Sequence, residues 1–168
     1  MRNLFITLAL LAALNPATAE EISWIADAKG CKVANPYPQP KETITWTGGC
    51  QNGFAEGDGV LQWFEEGKPV VRYEGHLSKG WANGKGTLKN ANGTTYKGDW
   101  KDSRENGDGR LDWPDGSWYE GQWRDGKPNG YGQYRSPEGR ILTGKFVDGQ
   151  FEPDEHEEEN PPPGQSKT

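Results

Sequence analysis

Tyr96-Lys97-Gly98-Asp99-Trp100, followed after a turn-rich stretch by Gly107-Asp108-Gly109-Arg110-Leu111-Asp112-Trp113, decides the fold of this chain. Tyr96, Gly98 and Trp100 alternate with Lys97 and Asp99, and Gly107, Gly109, Leu111 and Trp113 alternate with Asp108, Arg110 and Asp112. Period-two alternation of apolar or small residues with polar ones predicts strands that have one covered face. Residues 102–106 are rich in turn formers, so the two strands read as a β-hairpin. Pro114-Asp115-Gly116 is a second turn signal that reverses the chain again. With Trp100 opposite Gly107, Gly98 faces Gly109 and Tyr96 faces Leu111. That register lays glycine pairs beside aromatic rings and leaves a furrow in which a ring can lie. Glycine otherwise weakens a strand, so close approach by another group is the reason to keep it there.

The same pattern recurs along the chain. Blocks begin at Trp46, Tyr73, Tyr96, Tyr119 and Leu142, with steps of 27, 23, 23 and 23 residues. A four-residue insertion around residues 67–70 is the only break in register. Each block head is followed two places on by Gly48, Gly75, Gly98, Gly121 or Gly144. Further glycines stand seven, eleven and thirteen positions in: Gly53/Gly57/Gly59, Gly80/Gly84/Gly86 and Gly126/Gly130/Gly132. The third block departs once, with Ser103 ahead of Gly107 and Gly109. A fixed period in this range marks a repeat architecture, in which no unit buries its apolar face alone and stacking supplies the stability. The residues expected to carry the repeat are Tyr73, Gly75, Gly84, Gly86, Tyr96, Gly98, Gly107, Gly109, Tyr119, Gly121, Gly130 and Gly132.

The pattern Y-x-G-x-W…G-x-G-x-L resembles the MORN family (membrane occupation and recognition nexus repeats) from about Trp46 to Phe151. The stretch from Gly30-Cys31 to Cys50-Gln51-Asn52-Gly53 further looks like the start of bacterial, exported members. The resemblance implies an all-β fold: an elongated, twisted, single-layer antiparallel sheet of consecutive hairpins. It also implies a module for association or membrane proximity.

The two ends differ from the repeats. Residues 1–19 hold a basic start at Arg2, an apolar run over residues 4–14 and Ala17-Thr18-Ala19. That order is a secretory signal peptide, too short for a spanning helix. The expected product is an exported chain, periplasmic or secreted. Residues 20–45 form a cap segment and residues 46–151 the repeat domain, about five repeats with the last partial. Both cysteines, Cys31 and Cys50, lie in the exported part, and an even count there argues for a disulfide. It closes a loop containing Pro36, Pro38 and Pro40 and pins an irregular cap onto the first hairpin. Terminal repeats need caps because a bare sheet edge pairs with other chains. Residues 152–168 carry six acids against Lys167, with three consecutive prolines, and read as a disordered tail.

Of the chain's net charge of −6, that tail supplies −5, so the rest is nearly neutral. No basic stripe for nucleic acid is present, and the same deficit argues against strong docking to anionic membranes. No P-loop, dinucleotide fingerprint, G-x-S-x-G or H-E-x-x-H occurs, and no cofactor or metal is implied. Residues 102–113 have the outline of a calcium loop, but Arg104 and Trp113 occupy places that need oxygen ligands. His76 falls on the polar face and His156 in the tail. No catalytic constellation emerges.

Three function classes follow. The first is a non-catalytic binding or scaffold module of the cell envelope, with an unidentified protein or envelope partner. The second is a carbohydrate-binding protein, motivated by eight tryptophans, although Trp46, Trp63, Trp100, Trp113 and Trp123 fall on the packing face. A hydrolase using scattered acids ranks last. Candidate partner-binding residues are Phe54 and Trp81, each eight positions into its block within the hairpin loop, and Trp118, which points to the otherwise polar face.

Overall fold

The glycine-aromatic alternation builds one open sheet. The computed structural model describes residues 22–153, which hold thirteen strands and no helix. They are β1 (Ser23–Ala26), β2 (Lys32–Asn35), β3 (Glu42–Trp46), β4 (Gly49–Gln51), β5 (Phe54–Glu65), β6 (Lys68–Ser78), β7 (Trp81–Asn90), β8 (Thr95–Lys101), β9 (Arg104–Asp112), β10 (Trp118–Arg124), β11 (Lys127–Arg135), β12 (Ile141–Val147) and β13 (Gln150–Glu152). From β5 to β13 each strand pairs antiparallel with the next, and β3 and β4 both pair with β5. The sole parallel step among the described residues is Lys32 of β2 against Phe54 of β5. The leader at residues 1–19 and the tail beyond residue 153 lie outside the described residues. Glu152, assigned to the tail from sequence, ends β13 and pairs with Lys145.

The expected glycine register is present. Tyr96 faces Leu111 and Gly98 faces Gly109, while on the far sides Gly86 meets Gly98 and Gly109 meets Gly121. The glycine rows therefore run across the sheet, and the Tyr96 ring lies over Gly98 and Gly109. Tyr73 does the same over Gly75 and Gly86, and Tyr119 over Gly121 and Gly132. Each hydroxyl donates to the carbonyl three residues on: Tyr73 to His76 (3.1 Å), Tyr96 to Asp99 (3.0 Å) and Tyr119 to Gln122 (3.0 Å). Trp100 and Trp123 close the gaps between tyrosines, edge-on to Tyr96 at 5.1 Å each. Their indoles donate back to the preceding repeat, at the Gly86 and Gly109 carbonyls. A single-layer sheet thereby buries Tyr73, Tyr96 and Tyr119 to 3 %, 1 % and 1 % exposure without a second layer.

One part of the expected register is corrected. Trp100 faces Glu105 in its own hairpin and Gly84 on the strand before, not Gly107. The predicted turn over residues 102–106 is in fact the two-residue turn Asp102-Ser103, both with positive φ (48° and 61°), and β9 starts at Arg104. Such turns match the right-handed strand twist, which favours residues like Asp and Gly in the left-handed region. A bulge between Gly98 and Trp100 then restores the phase. The insertion at residues 67–70 is equally simple. It lengthens the β5–β6 hairpin to a two-residue turn at Glu66-Gly67 while keeping Leu61 opposite Tyr73.

The cap is more regular than its prolines imply. β1 and β2 form a hairpin, and β2 lies across two repeat turns, with Lys32 N donating to Gly53 O (2.9 Å) and Ala34 N to Gly80 O (3.0 Å). Asp27 Oδ1 accepts from the Lys29 and Cys31 amides at 2.9 Å, and the Cys31–Cys50 disulfide ties the hairpin to β4 across a Cα–Cα distance of 5.5 Å. The proline stretch itself stays outside the strands, as ring-locked φ and missing N–H groups require. Cys31 and Val33, each 1 % exposed, join the same core as Ala55, Leu77 and Ala82.

Candidate functional site

The two faces of the sheet differ in what they leave free. The packing face is covered largely by its own rings, with one apolar depression of about 300 Å³ beside the cap, lined by residues that include Val33, Leu61, Tyr73, Leu88 and Trp100. Burial pushes the Tyr73 phenol up to about 12, with Asp58 adding to the shift, and burial alone takes Tyr119 to about 12. Tyr96 moves in the same direction, from burial and then from Glu105, Asp99 and Asp108. These hydroxyls are structural donors held in their neutral form.

The opposite face is polar and open. A furrow of about 890 Å³ crosses β6 to β10, with Gly86, Gly98, Gly109 and Gly121 along it and Glu74, Lys85, Thr87, Lys97, Arg110 and Glu120 on its sides. Strand alternation puts these side chains here because the glycines and rings take the other face. Lys85 pairs with Asp99 at 2.7 Å. Arg110 is gripped by Asp112 and by Glu120 at 2.8 and 2.9 Å, and these hydrogen bonds, Asp112 first, raise its pKa further. Lys97 is exposed between Thr87 and Arg110 on the neighbouring strands. The furrow mixes both signs of charge and holds few apolar side chains.

The sequence candidates flank this face. Trp118 opens β10 on the polar side, as expected, but the Arg110 guanidinium lies over its ring at 4.4 Å and occupies that surface. Phe54 and Trp81 are the first residues of β5 and β7, not loop residues, because the Asn52-Gly53 and Lys79-Gly80 turns hold only two residues each. They do stand together, but through a third ring that sequence reasoning missed. Trp24 of β1 packs edge-on to Phe54 at 4.9 Å and to Trp81 at 5.8 Å. Its signal was an apolar residue alternating within Ser23-Trp24-Ile25-Ala26, ahead of the first repeat. Lys32 adds its ammonium 6.0 Å from the Phe54 ring centre.

Beside Trp81 lies a second depression, of about 480 Å³, lined by His76, Ser78, Lys79, Trp81, Asn83, Gly84 and Asp102. It shares no lining residue with the furrow, but its Gly84 adjoins the furrow's Lys85 along β7. His76 Nδ1 is 3.1 Å from Asp58 Oδ1, on the exposed surface. Among the described residues no group of His, Cys, Asp and Glu has the arrangement to hold a metal ion. No helix among them is long and apolar enough to cross a membrane. Both cysteines are in the disulfide.

Comparison with protein-family models matches the MORN repeat at residues 73–95, 96–118 and 119–139. These three consecutive repeats start at Tyr73, Tyr96 and Tyr119, the block heads whose rings lie over the glycine rows. The blocks that begin at Trp46 and Leu142 fall outside the matched stretches and continue the same sheet. MORN repeats are in general non-catalytic repeat modules of binding type. Comparison with curated protein sequences gave no match.

Proposed function

We propose that this protein is an exported, non-catalytic binding module of the cell envelope, and that its polar face holds an extended protein or envelope partner. The observation that carries this reading is the furrow of about 890 Å³ that runs across five strands at right angles to them. Its side chains reach it by register, so the repeat period itself sets their spacing. A long, shallow, mixed-charge groove suits a chain-like partner held by many modest polar contacts, and suits poorly a small ligand that needs enclosure. MORN repeats in residues 73–139 support a binding role. Export is supported by the order of Arg2, the apolar run and Ala17-Thr18-Ala19, together with the closed Cys31–Cys50 bridge.

The test is comparative capture from envelope extract by the wild-type protein and by Thr87→Trp and Lys97→Glu. The first fills the furrow and the second reverses an exposed cation at its middle. Loss of the same captured species by both variants, with unchanged circular dichroism, is the expected result. Capture at the wild-type level by both would overturn the assignment of the furrow.

A further inference from the structure

We propose that the depression beside Trp81 is a saccharide subsite for an uncharged, β-linked oligosaccharide chain that leaves it along the furrow. This rests on the polar face being the binding surface and specifies the ligand class at one end of it.

A pyranose ring offers axial C–H groups on its faces and hydroxyls around its rim. It needs a fixed aromatic platform with donors and acceptors at the edge of that platform. Trp81 is the platform. Trp24 meets the indole edge-on at an interplanar angle of 81°, and Asn83 Nδ2 donates to the Trp81 backbone carbonyl at 3.3 Å, which ties down the strand that carries it. The rim groups are His76, Ser78, Asn83 and Asp102. Asn83 Oδ1 also accepts from the Asp102 amide at 3.2 Å, which places the Asp102 carboxylate beside the platform while leaving its oxygens to accept. His76 turns Nδ1 to Asp58, so Nε2 is the nitrogen left for a ligand hydroxyl.

The same residues argue against other ligands. Asp58 and Asp102 outweigh Lys79, which disfavours a phosphate or other anion, and the depression has too little apolar lining for a lipid. Its volume of about 480 Å³ is suited to a small ligand, and its Gly84 adjoins the furrow's Lys85 along β7. A flat, equatorially linked chain suits a run over that shallow surface from one depression to the next. Among the five blocks a ring stands at this position only in the first two, as Phe54 and Trp81. Arg104 and Lys127 stand where Trp81 does in the next two blocks, and the corresponding depression near Trp123 is lined by Asn106, Gln122, Arg124 and Asn129 with no ring at that place.

Cellotetraose and N-acetylchitotetraose are the probes, titrated into the full chain and followed by two-dimensional NMR of the indole N–H groups. At least one is expected to bind with the Trp81 indole resonance moving. Trp81→Ala should weaken it by about tenfold or more, and Asp102→Asn by about threefold. Tyr131→Ala, exposed on β11 outside both depressions, should leave it unchanged. Asp102 sits in an exposed turn at φ 48°, which Asn also adopts, so this variant carries the test if Trp81→Ala fails to fold. Binding of neither tetrasaccharide at millimolar concentration, or equal binding by wild type and the Trp81 and Asp102 variants, would overturn the subsite. If Thr87→Trp still abolishes capture from envelope extract in that case, the furrow reading stands and only the saccharide assignment fails.

Discussion

Gly109→Ala is the sharpest probe of how this sheet buries its aromatic rings. A Cβ at Gly109 would lie 2.5 Å from Tyr96 Cζ and 2.7 Å from Cε2, and would also press against the hydroxyl. Real Cβ atoms do not approach so closely, so either the ring or β9 must move. The ring has nowhere to go. Tyr96 is 1 % exposed, packed edge-on against Trp100 and Trp123, and its hydroxyl is bonded to Asp99 O at 3.0 Å. Overpacking costs about 1–3 kcal/mol, and losing the hydroxyl's bond adds roughly 0.5–1.5 kcal/mol. The expected loss is therefore about 2–4 kcal/mol, for one added methyl. Asp108→Ala, one residue away on the exposed polar face, should stay within about 0.5 kcal/mol. Urea unfolding followed by tryptophan fluorescence measures both. A double-mutant cycle isolates the cause: in a Tyr96→Ala background, where the ring is gone, Gly109→Ala should cost little. Equal midpoints for the two single variants, or the same Gly109→Ala cost with and without the Tyr96 ring, would refute the packing argument.

Two further outcomes are expected. Cys50→Ser should lower stability by about 2–4 kcal/mol, because it frees a cap held by one bridge and a few backbone bonds, while the Trp100 and Trp123 repeats stay folded. Hydrogen exchange resolved by segment is the check, and protection lost evenly along the sheet would contradict it. Stability should also fall as pH rises from the ordinary phenol range through about 12, where Tyr73 and Tyr119 titrate in the fold. The folded state binds these protons more tightly than the unfolded state, so this contribution is complete below the unfolded pKa of about 10 and is lost above the folded one. In a variant with Tyr37, Tyr131 and Tyr134 changed to phenylalanine, tyrosinate absorbance rising before the urea midpoint drops would show that burial does not hold the remaining phenols neutral.

The repeat phase was legible because each tyrosine, glycine pair and turn is a local device. Tyr96, Gly98 and Gly109 state their own register, since only glycine leaves room for the ring. The turn length was not legible. Asp102-Ser103 and a turn over residues 102–106 satisfy the same turn chemistry, and the bulge that separates them is a property of paired strands. At the candidate site, Trp81 stood out by its position in the block. Its prop, Trp24, did not, because contact between β1 and β7 depends on how the cap crosses the turns.

The cap's place can be traced to where the repeat fails. Four positions into the last three blocks stand Trp100, Trp123 and Phe146, each buried and each covering the sheet beside its own block. The first two blocks have Cys50 and Leu77 instead, and nine positions in they carry Ala55 and Ala82, where later blocks have Glu105, Pro128 and Phe151. Ringless residues at the first place and alanines at the second leave a trough on the packing face of these two repeats. The cap fills much of it: Val33 and Cys31 are 1 % exposed, with Ala55 at 0 % and Leu77 at 1 % in the same cluster, and a depression of about 300 Å³ is left beside Val33 and Ala82. The covalent bond from Cys50 to Cys31 thus stands where the later repeats place a ring. At the other end of the described residues Leu142 replaces the tyrosine, and Phe151 from β13 lies over Gly144 and packs edge-on against Phe146 at 5.3 Å. Departures from the repeat at the first end call for the cap, and the departure at Leu142 is met by a ring from the next strand.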